Sequence, residues 1–409
     1  MSPVRATTRG VEKTPLPPRV DVLICGASFA GLAVARELAR LPLARRPEVL
    51  VIDRYAIGER ATSACAAPTP WLEAMGVTSA IRSELPYMSF TTPHGGARYR
   101  LPWSWSSFDY RELCLELWAQ CGGARFATAK VEGRTAVSAH SLRTGRGEWA
   151  LSEGGERGEL VAVRTDRGDV SAPLVVDALG WRRVLSDPHY QPPEAPLSRG
   201  LEVHPPVPHS PDQDALDCWV DRSLVRRGYA WRVPAAGEQR IGVGSYDPRQ
   251  HVKEGTRELA DRLDAEPVRY QGNWFPHRLR PATEDGVFFA GDSAGHCLPL
   301  SGEGIRTAFA FGIAAGREIG GVLEGRQDRA QALAAYHQRS AAQAPFYRRL
   351  LRLQRVLPAL PPRLLALAFR AVSPQAVVDR AFGWYLEQAH PRLADAPPGG
   401  VAERDRFAA

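Results

Sequence analysis

Between Val20 and Cys25 the chain reads Val-Asp-Val-Leu-Ile-Cys, a short apolar and β-branched stretch that stops at glycine, and this pattern predicts a buried strand ending in a turn. From Gly31 the spacing changes. Leu32, Ala35 and Leu38 recur on one side while Arg36 and Glu37 fall elsewhere, which predicts a helix closed by Pro42 and the arginines after it. A second apolar run, Glu48 to Asp53, follows. Strand, glycine turn, helix and strand make a βαβ unit and predict a parallel sheet.

Further along, Leu113, Leu117 and Cys121 keep helical spacing from Phe108 to Gly122, with Asp109 placed as N-cap and Gly122-Gly123 as the stop. Residues 125–170 predict strands with turns at Gly145, Gly147, Gly154-Gly155 and Gly168. Ala-Pro-Leu-Val-Val-Asp-Ala-Leu-Gly, ending at Gly180, predicts another buried strand. Residues 186–215, rich in proline and histidine, predict a crossover into another domain. The segments Cys-Trp-Val-Asp, Tyr-Ala-Trp-Arg-Val-Pro and Gln-Arg-Ile-Gly-Val-Gly-Ser-Tyr, from Cys218 onward, alternate as antiparallel strands do. A helix is expected around Glu254 to Leu263, then a buried strand up to Asp292 and a long apolar helix from Gly304 to Leu323.

Composition narrows the classes. The 409 residues, 44% hydrophobic and 24% charged, are those of a globular chain large enough for two intertwined domains. Six scattered cysteines with no Cys-x-x-Cys pair argue against a zinc site or a disulfide framework and predict a reducing, cytoplasmic setting, with no metal. The net charge of +7 comes almost wholly from arginine, since only Lys13, Lys130 and Lys253 are lysines. Most of those arginines are dispersed, with one cluster late in the chain, so nucleic acid is not expected as a partner. The polar, proline-bearing residues 1–19 lack the apolar core of a signal peptide and predict a flexible tail.

Three stretches carry chemistry. Gly26-Ala27-Ser28-Phe29-Ala30-Gly31 stands between a strand and a helix, where a dinucleotide-binding Gly-x-Gly-x-x-Gly belongs, with serine at the second glycine. Gly26 suits the tight turn, Ser28 a close approach of backbone N–H groups to a pyrophosphate, and Gly31 close packing of helix on strand. Asp53 ends the next strand, where an acid can accept hydrogen bonds from a ribose and disfavours a 2′-phosphate. In the second stretch, residues 286–304, Asp292 follows Gly291 at a strand's end. Pro299, Gly302, Glu303 and Gly304 then lead into a helix whose bare N-terminus can stabilise negative charge. The third, Asp177 to Gly180, repeats the strand-to-glycine design.

The 286–304 stretch resembles the second FAD-binding motif of p-hydroxybenzoate-hydroxylase-like flavoproteins. Asp177-Ala-Leu-Gly180 resembles the Asp-x-x-Gly element of that superfamily, whose aspartate faces the FAD pyrophosphate. Arg111 resembles its phosphate-touching helix arginine, and a surface arginine is the other reading. The resemblance implies FAD as cofactor, NAD(P)H or another reductant as electron donor, and an α/β fold. That fold is a Rossmann-like, doubly wound FAD-binding domain with an inserted antiparallel substrate domain and a helical C-terminal segment. The expected limits are 20–85, 105–185 and 275–335 for the FAD domain, 86–104 and 186–274 for the substrate domain, and 336–409 for the helical segment.

Within the superfamily, Pro299-Leu-Ser-Gly-Glu-Gly-Ile305 and Tyr229-Ala-Trp231-Arg-Val-Pro234 resemble motifs of the geranylgeranyl reductase family. Cys65 follows Asp53 at about the distance where such reductases place a cysteine loop. This implies hydride transfer from reduced flavin to a double bond of an isoprenoid or similar apolar substrate, with Tyr229, Trp231 and Pro234 at the substrate; a packed sheet face would carry the same aromatics. Aromatic hydroxylation by an NAD(P)H-dependent FAD monooxygenase is the alternative. Flavin halogenation falls behind, because no lysine lies between Lys13 and Lys130. A non-catalytic electron-relay flavoprotein is the remaining class. His296 and Cys297, inside the flavin loop, are weak catalytic candidates. Residues 346–371, dense in leucine and arginine and broken by prolines at 358, 361 and 362, form two short helices and predict a peripheral contact with anionic membrane; a helix packed on the FAD domain with its arginines in solvent would carry the same pattern.

Overall fold

The structure, a computed structural model, describes residues 14–42, 46–61, 64–135, 160–186, 196–207 and 213–395. The turns expected at Gly145, Gly147 and Gly154-Gly155, and much of the 186–215 crossover, lie outside the described residues.

Val22–Cys25 occupies the middle of a six-stranded sheet. Val49–Asp53 and Leu174–Asp177 flank it in parallel, Arg125–Thr128 and Val287–Phe289 lie beyond them in parallel, and Thr283–Glu284 closes one edge antiparallel. Val22–Cys25 and Leu174–Asp177 are buried throughout, which accounts for their unbroken apolar pattern. The chain leaves the central strand on one side and returns on the other. The carboxyl ends of Val22–Cys25 and Leu174–Asp177 therefore form a topological switch point, the usual place for a ligand crevice in such sheets.

Two helices, Phe29–Ala39 and Ile305–Leu323, pack against each other beside this crevice. Their closeness depends on glycines one turn apart. A Cβ at Gly312 would sit 2.6 Å from the Ala30 carbonyl oxygen and 2.7 Å from the Ala33 methyl, one at Gly316 2.8 Å from Glu37 Cβ, and one at Gly320 2.6 Å from Leu41 Cδ1. A buried ion pair, Arg317 Nε to Glu37 Oε1 at 2.7 Å, pins the same interface.

A second sheet of eight strands runs in the order Gln271–Pro276, Leu197–Val203, Glu238–Ser245, Gly228–Ala235, Ala215–Trp219, Ile81–Thr92, Gly95–Phe108 and Ala66–Pro68. All neighbours pair antiparallel except Ala215–Trp219 with Ile81–Thr92, which are parallel. Its hairpin from Ile81 to Phe108 starts earlier and ends later than 86–104, and Ala66–Pro68 joins it as well. Register shifts between Ile81 and Ser83 and between Leu85 and Tyr87 blur the two-residue period there, so the pattern hid these strands. Residues 14–20, within or beside the stretch expected as a flexible tail, are held against the fold. Leu16 and Val20 are buried, the Ser171 N–H donates to the Pro18 carbonyl at 2.9 Å, and Arg167 Nε donates to the Thr14 carbonyl at 3.0 Å.

Helices Pro362–Val372 and Gln375–Leu386 lie across the second sheet, and Ala344–Val356 packs against Leu298 and Leu300. Tyr99 donates to the Phe369 carbonyl at 2.7 Å, and the rings of Phe90 and Phe369 stand 5.2 Å apart. Among the described residues no helix is long and apolar enough to cross a membrane.

Candidate active site

A cavity of about 1110 Å³ opens at the switch point and continues beneath the second sheet. At its nucleotide end the chain turns sharply at Gly26, whose φ of +112° is poorly open to other residues, and any side chain there would overlap the Ala178 carbonyl. Gly31 lies directly on the Gly26 carbonyl, so helix and strand meet without a gap. Asp53 braces this turn, its carboxylate accepting from the Ala27 N–H at 2.8 Å and the Tyr55 N–H at 3.0 Å. Burial pushes its carboxyl up, and the backbone N–H groups hold it down. Ala27, Ser28 and Asp53 line the cavity, whereas Gly26 and Gly31 shape it from behind. Helix Phe29–Ala39 starts at Ser28 with no side-chain cap, so its first N–H groups remain available to a ligand.

The second half of the nucleotide end comes from Gly291, Asp292, Gly302, Glu303 and Gly304, all of them lining the cavity; Pro299 does not. Asp292 is the informative residue. Its carboxylate has no hydrogen-bond partner among the described residues, and burial raises its carboxyl to about 6. The side chain is half-buried at the cavity wall, and its oxygens are open to donors of a ligand there. Four residues on, His296 and Cys297 part company. His296 is fully buried away from the cavity, stacked on Phe311 at 3.6 Å between ring centres, with Nε2 3.0 Å from Ser340 Oγ, and burial pushes its imidazole down to about 3. It is neutral at ordinary pH and part of the packing. Cys297 lines the cavity, but burial raises its thiol, so it is no thiolate nucleophile.

The loop from Leu298 to Gly304 is held by many bonds. Gly302 takes φ +67°, the Gly302 N–H donates to the Leu298 carbonyl at 3.0 Å, and Gln354 Oε1 accepts from the Leu300 N–H at 2.8 Å. Glu303 turns inward to a bidentate pair with fully buried Arg306, at 2.7 and 3.0 Å, and Tyr385 donates to the same carboxylate. Helix Ile305–Leu323 then begins at Gly304 with no side-chain cap. An unpartnered carboxylate beside two uncapped helix N-termini fits FAD: donors on a ribityl chain would meet Asp292, and the anionic pyrophosphate and flavin edge would meet the helix ends.

Two expected ligands stand elsewhere. Asp177 is fully buried outside the cavity lining, spent on the N–H groups of Leu179 (2.9 Å) and Leu185 (2.8 Å) and on Ser293 Oγ (2.7 Å). It ties two strand ends together, while Gly180 behind it does line the cavity. Arg111 is exposed in the first turn of helix Tyr110–Ala119 and outside the lining. Asp109, as expected, caps that helix by accepting from Glu112 N–H at 2.9 Å.

Beyond the nucleotide end, cross-strand rows of the second sheet form the cavity wall. One row reads Gln271, Glu202, Gly242, Trp231, Cys218 and Phe90; the next reads Asn273, Gly200, Gly244 and Tyr229. The central glycines leave a trough. The Trp231 indole lies in it, over Gly242 and Gly244, and reaches across to donate from Nε1 to Glu202 Oε2 at 3.1 Å. Glu202, 3% exposed, also holds Gln271 Nε2 at 3.1 Å and His204 Nε2 at 3.0 Å. Tyr229, at the head of the trough, donates to the Ser301 carbonyl in the loop from Leu298 to Gly304. Tyr229 and Trp231 thus face one side, as their alternation requires, while Pro234 lies outside the lining. Glu202 carries no motif that a single sequence could reveal. Leu353, Phe369, Trp384 and Tyr385, from the C-terminal helices, complete the wall.

No family model matches the chain. A digeranylgeranylglycerophospholipid reductase of Methanocaldococcus jannaschii is 28% identical over 114 residues, 26% of this chain; the match spans only 29% of that relative's length. Among solved structures, a geranylgeranyl bacteriochlorophyll reductase-like protein from Thermoplasma acidophilum superposes with a TM-score of 0.74 at 17% identity, over 92% of this chain and 98% of that one. PqsL, a probable FAD-dependent monooxygenase from Pseudomonas aeruginosa, gives 0.61 at 16% identity, over 89% and 100%. The resemblance read from the loop motifs and the comparisons point to the same proteins. The fold is that of FAD-dependent oxidoreductases.

Proposed function

We propose that this chain is an FAD-dependent oxidoreductase that reduces a double bond of an isoprenoid or similarly apolar substrate. The observation that carries the FAD assignment is the cavity-lining, unpartnered Asp292 carboxylate beside the uncapped start of helix Ile305–Leu323. When bound and reduced, FAD would supply a hydride to one alkene carbon, NAD(P)H or another two-electron reductant having recharged it, and a proton would reach the neighbouring carbon.

The chain's own residues divide the remaining work. Asp53 and Ser28 would hold the adenosine and pyrophosphate end, and Asp292 the ribityl hydroxyls. Tyr229 fastens the second sheet to the flavin loop and fixes the distance between substrate wall and cofactor. Trp231, Cys218, Phe90, Met88, Leu216 and Phe369 offer apolar surface to a long chain and keep water from it. Partial identity to a lipid reductase supports this substrate class.

A second reading, hydroxylation of an aromatic or polyketide-like metabolite, draws on the polar part of the cavity, where Arg199, Glu202, Gln271 and Asn273 could meet hydrogen-bonding groups. Purified holoprotein given NADH, NADPH or dithionite separates the two. Reductase chemistry predicts slow reoxidation in air and loss of an alkene. Rapid aerobic NAD(P)H oxidation stimulated by an aromatic compound would favour the hydroxylase instead.

A further inference from the structure

The C-terminal helices present an outer face that nothing among the described residues covers. Leu353, Val356, Leu364, Leu367, Val377 and Trp384 are 39–57% exposed, and only two other large hydrophobics in the described residues, Leu115 and Tyr270, are comparably bare. All six lie on helices Ala344–Val356, Pro362–Val372 and Gln375–Leu386. Helix Pro362–Val372 divides cleanly: Leu365 and Ala366 are buried, while Leu364 and Leu367 point outward at helical spacing. An exposed apolar cluster of this kind marks a surface with a partner.

Charge identifies the partner. Residues 344–386 contain seven arginines (348, 349, 352, 355, 363, 370 and 380) against one acid, Asp379. All seven are exposed, and none forms an ion pair among the described residues. Leucines rimmed by unpaired arginines suit the headgroup boundary of an anionic bilayer, with apolar side chains below and guanidinium groups at phosphate level. Position gives the surface a purpose. Leu353, Ala381 and Trp384 are exposed and also line the cavity, so the cavity reaches the surface on this face.

We propose that the outer face of these three helices docks on an anionic lipid bilayer and sets the cavity mouth against the acyl-chain layer, from which the substrate enters. The entry of substrate rests on the apolar-substrate reading above; the docking does not, and the test keeps them apart. FAD-loaded full-length protein is floated with phosphatidylcholine vesicles and with vesicles of phosphatidylcholine and phosphatidylglycerol, at low and high salt. The double variant Leu364→Glu, Leu367→Glu alters neither cavity nor flavin loop. Expected is flotation with the anionic vesicles alone, weakened by salt and reduced about tenfold or more in the double variant, whose flavin spectrum and melting temperature stay those of the wild type. The pair Arg348→Glu, Arg352→Glu should give the same loss. Absence of flotation at low salt overturns the docking, as does binding that ignores both double variants. A dimer in solution that the leucine variants convert to monomer also overturns it, because the face would then be a protein interface. Docking with no turnover of any isoprenoid would leave the surface standing and remove the reductase reading.

Discussion

Asp292 sets two quantities in opposition. Burial without a partner holds its carboxyl at about 6, so the ligand-free fold favours the protonated form. Its contribution to stability is therefore complete below the ordinary carboxyl value near ~4 and is lost as pH rises through about 6. Hydroxyl donors of a ribityl chain favour the carboxylate instead. FAD affinity should then fall as pH is lowered from 7 to 5, by up to about tenfold. Asp292→Asn should flatten that dependence and weaken binding by about ten- to hundredfold, the equivalent of a lost charged hydrogen bond, while the ligand-free variant melts higher than wild type at pH 7 or above. Fluorescence titrations and melts across this range check both signs. An unchanged pH profile in the variant would remove Asp292 from the flavin site. Trp231 offers a second test at this scale. A methyl at Gly242 would overlap the indole, so Gly242→Ala should lift Trp231 out of the trough and break its bond to Glu202. Turnover of long apolar substrates should drop, as it should in Trp231→Ala, with the flavin spectrum intact. Loss of folding without dependence on substrate length would reduce both residues to sheet packing.

At the scale of elements, the helices Phe29–Ala39 and Ile305–Leu323 deliver both uncapped N-termini at the cavity, and their spacing is set by Gly312 and Gly316. Gly312→Val should cost about 1–3 kcal/mol by overpacking and weaken FAD binding as well, because both helix ends shift together. Gly383, in helix Gln375–Leu386, has nothing within 4 Å of an added Cβ, and Gly383→Ala should instead stabilise by about 0.5–1 kcal/mol. Thermal melts with and without FAD separate the two. Elements with clean periods were legible in the sequence: the buried parallel strands, the helix capped by Asp109, and the apolar helix after Gly304. The bulged strand Ile81–Thr92 was not, since its register shifts break the alternation. The glycine motifs announced their position but not their division of labour. Asp177 reads like a ligand because strand-to-glycine aspartates share one local pattern, and only its three hydrogen bonds show where the carboxylate is spent. Glu202 and the lining residues of the C-terminal helices come from distant parts of the chain, so short-range spacing could not place them.

For the whole molecule, the cavity lies between the two sheets and the C-terminal helices. The parallel sheet supplies the nucleotide end, the second sheet the trough, and the C-terminal helices the outer wall, with Tyr229, Gln354 and Tyr385 all tied to the flavin loop. A ligand filling this space touches all three bodies, and FAD should raise the melting temperature of the whole chain in one transition, by an amount that grows with free FAD. Two separate transitions, only one of them sensitive to FAD, would contradict that coupling. The most direct test of the central claim is a single turnover without oxygen. Holoprotein reduced by dithionite, freed of excess reductant and mixed with a polyprenyl alkene, should regain the oxidised flavin's visible band as the alkene gains one hydride and one proton, detected by mass. Flavin that stays reduced before every apolar alkene, yet is reoxidised by oxygen with a hydroxylated aromatic as product, would contradict the account.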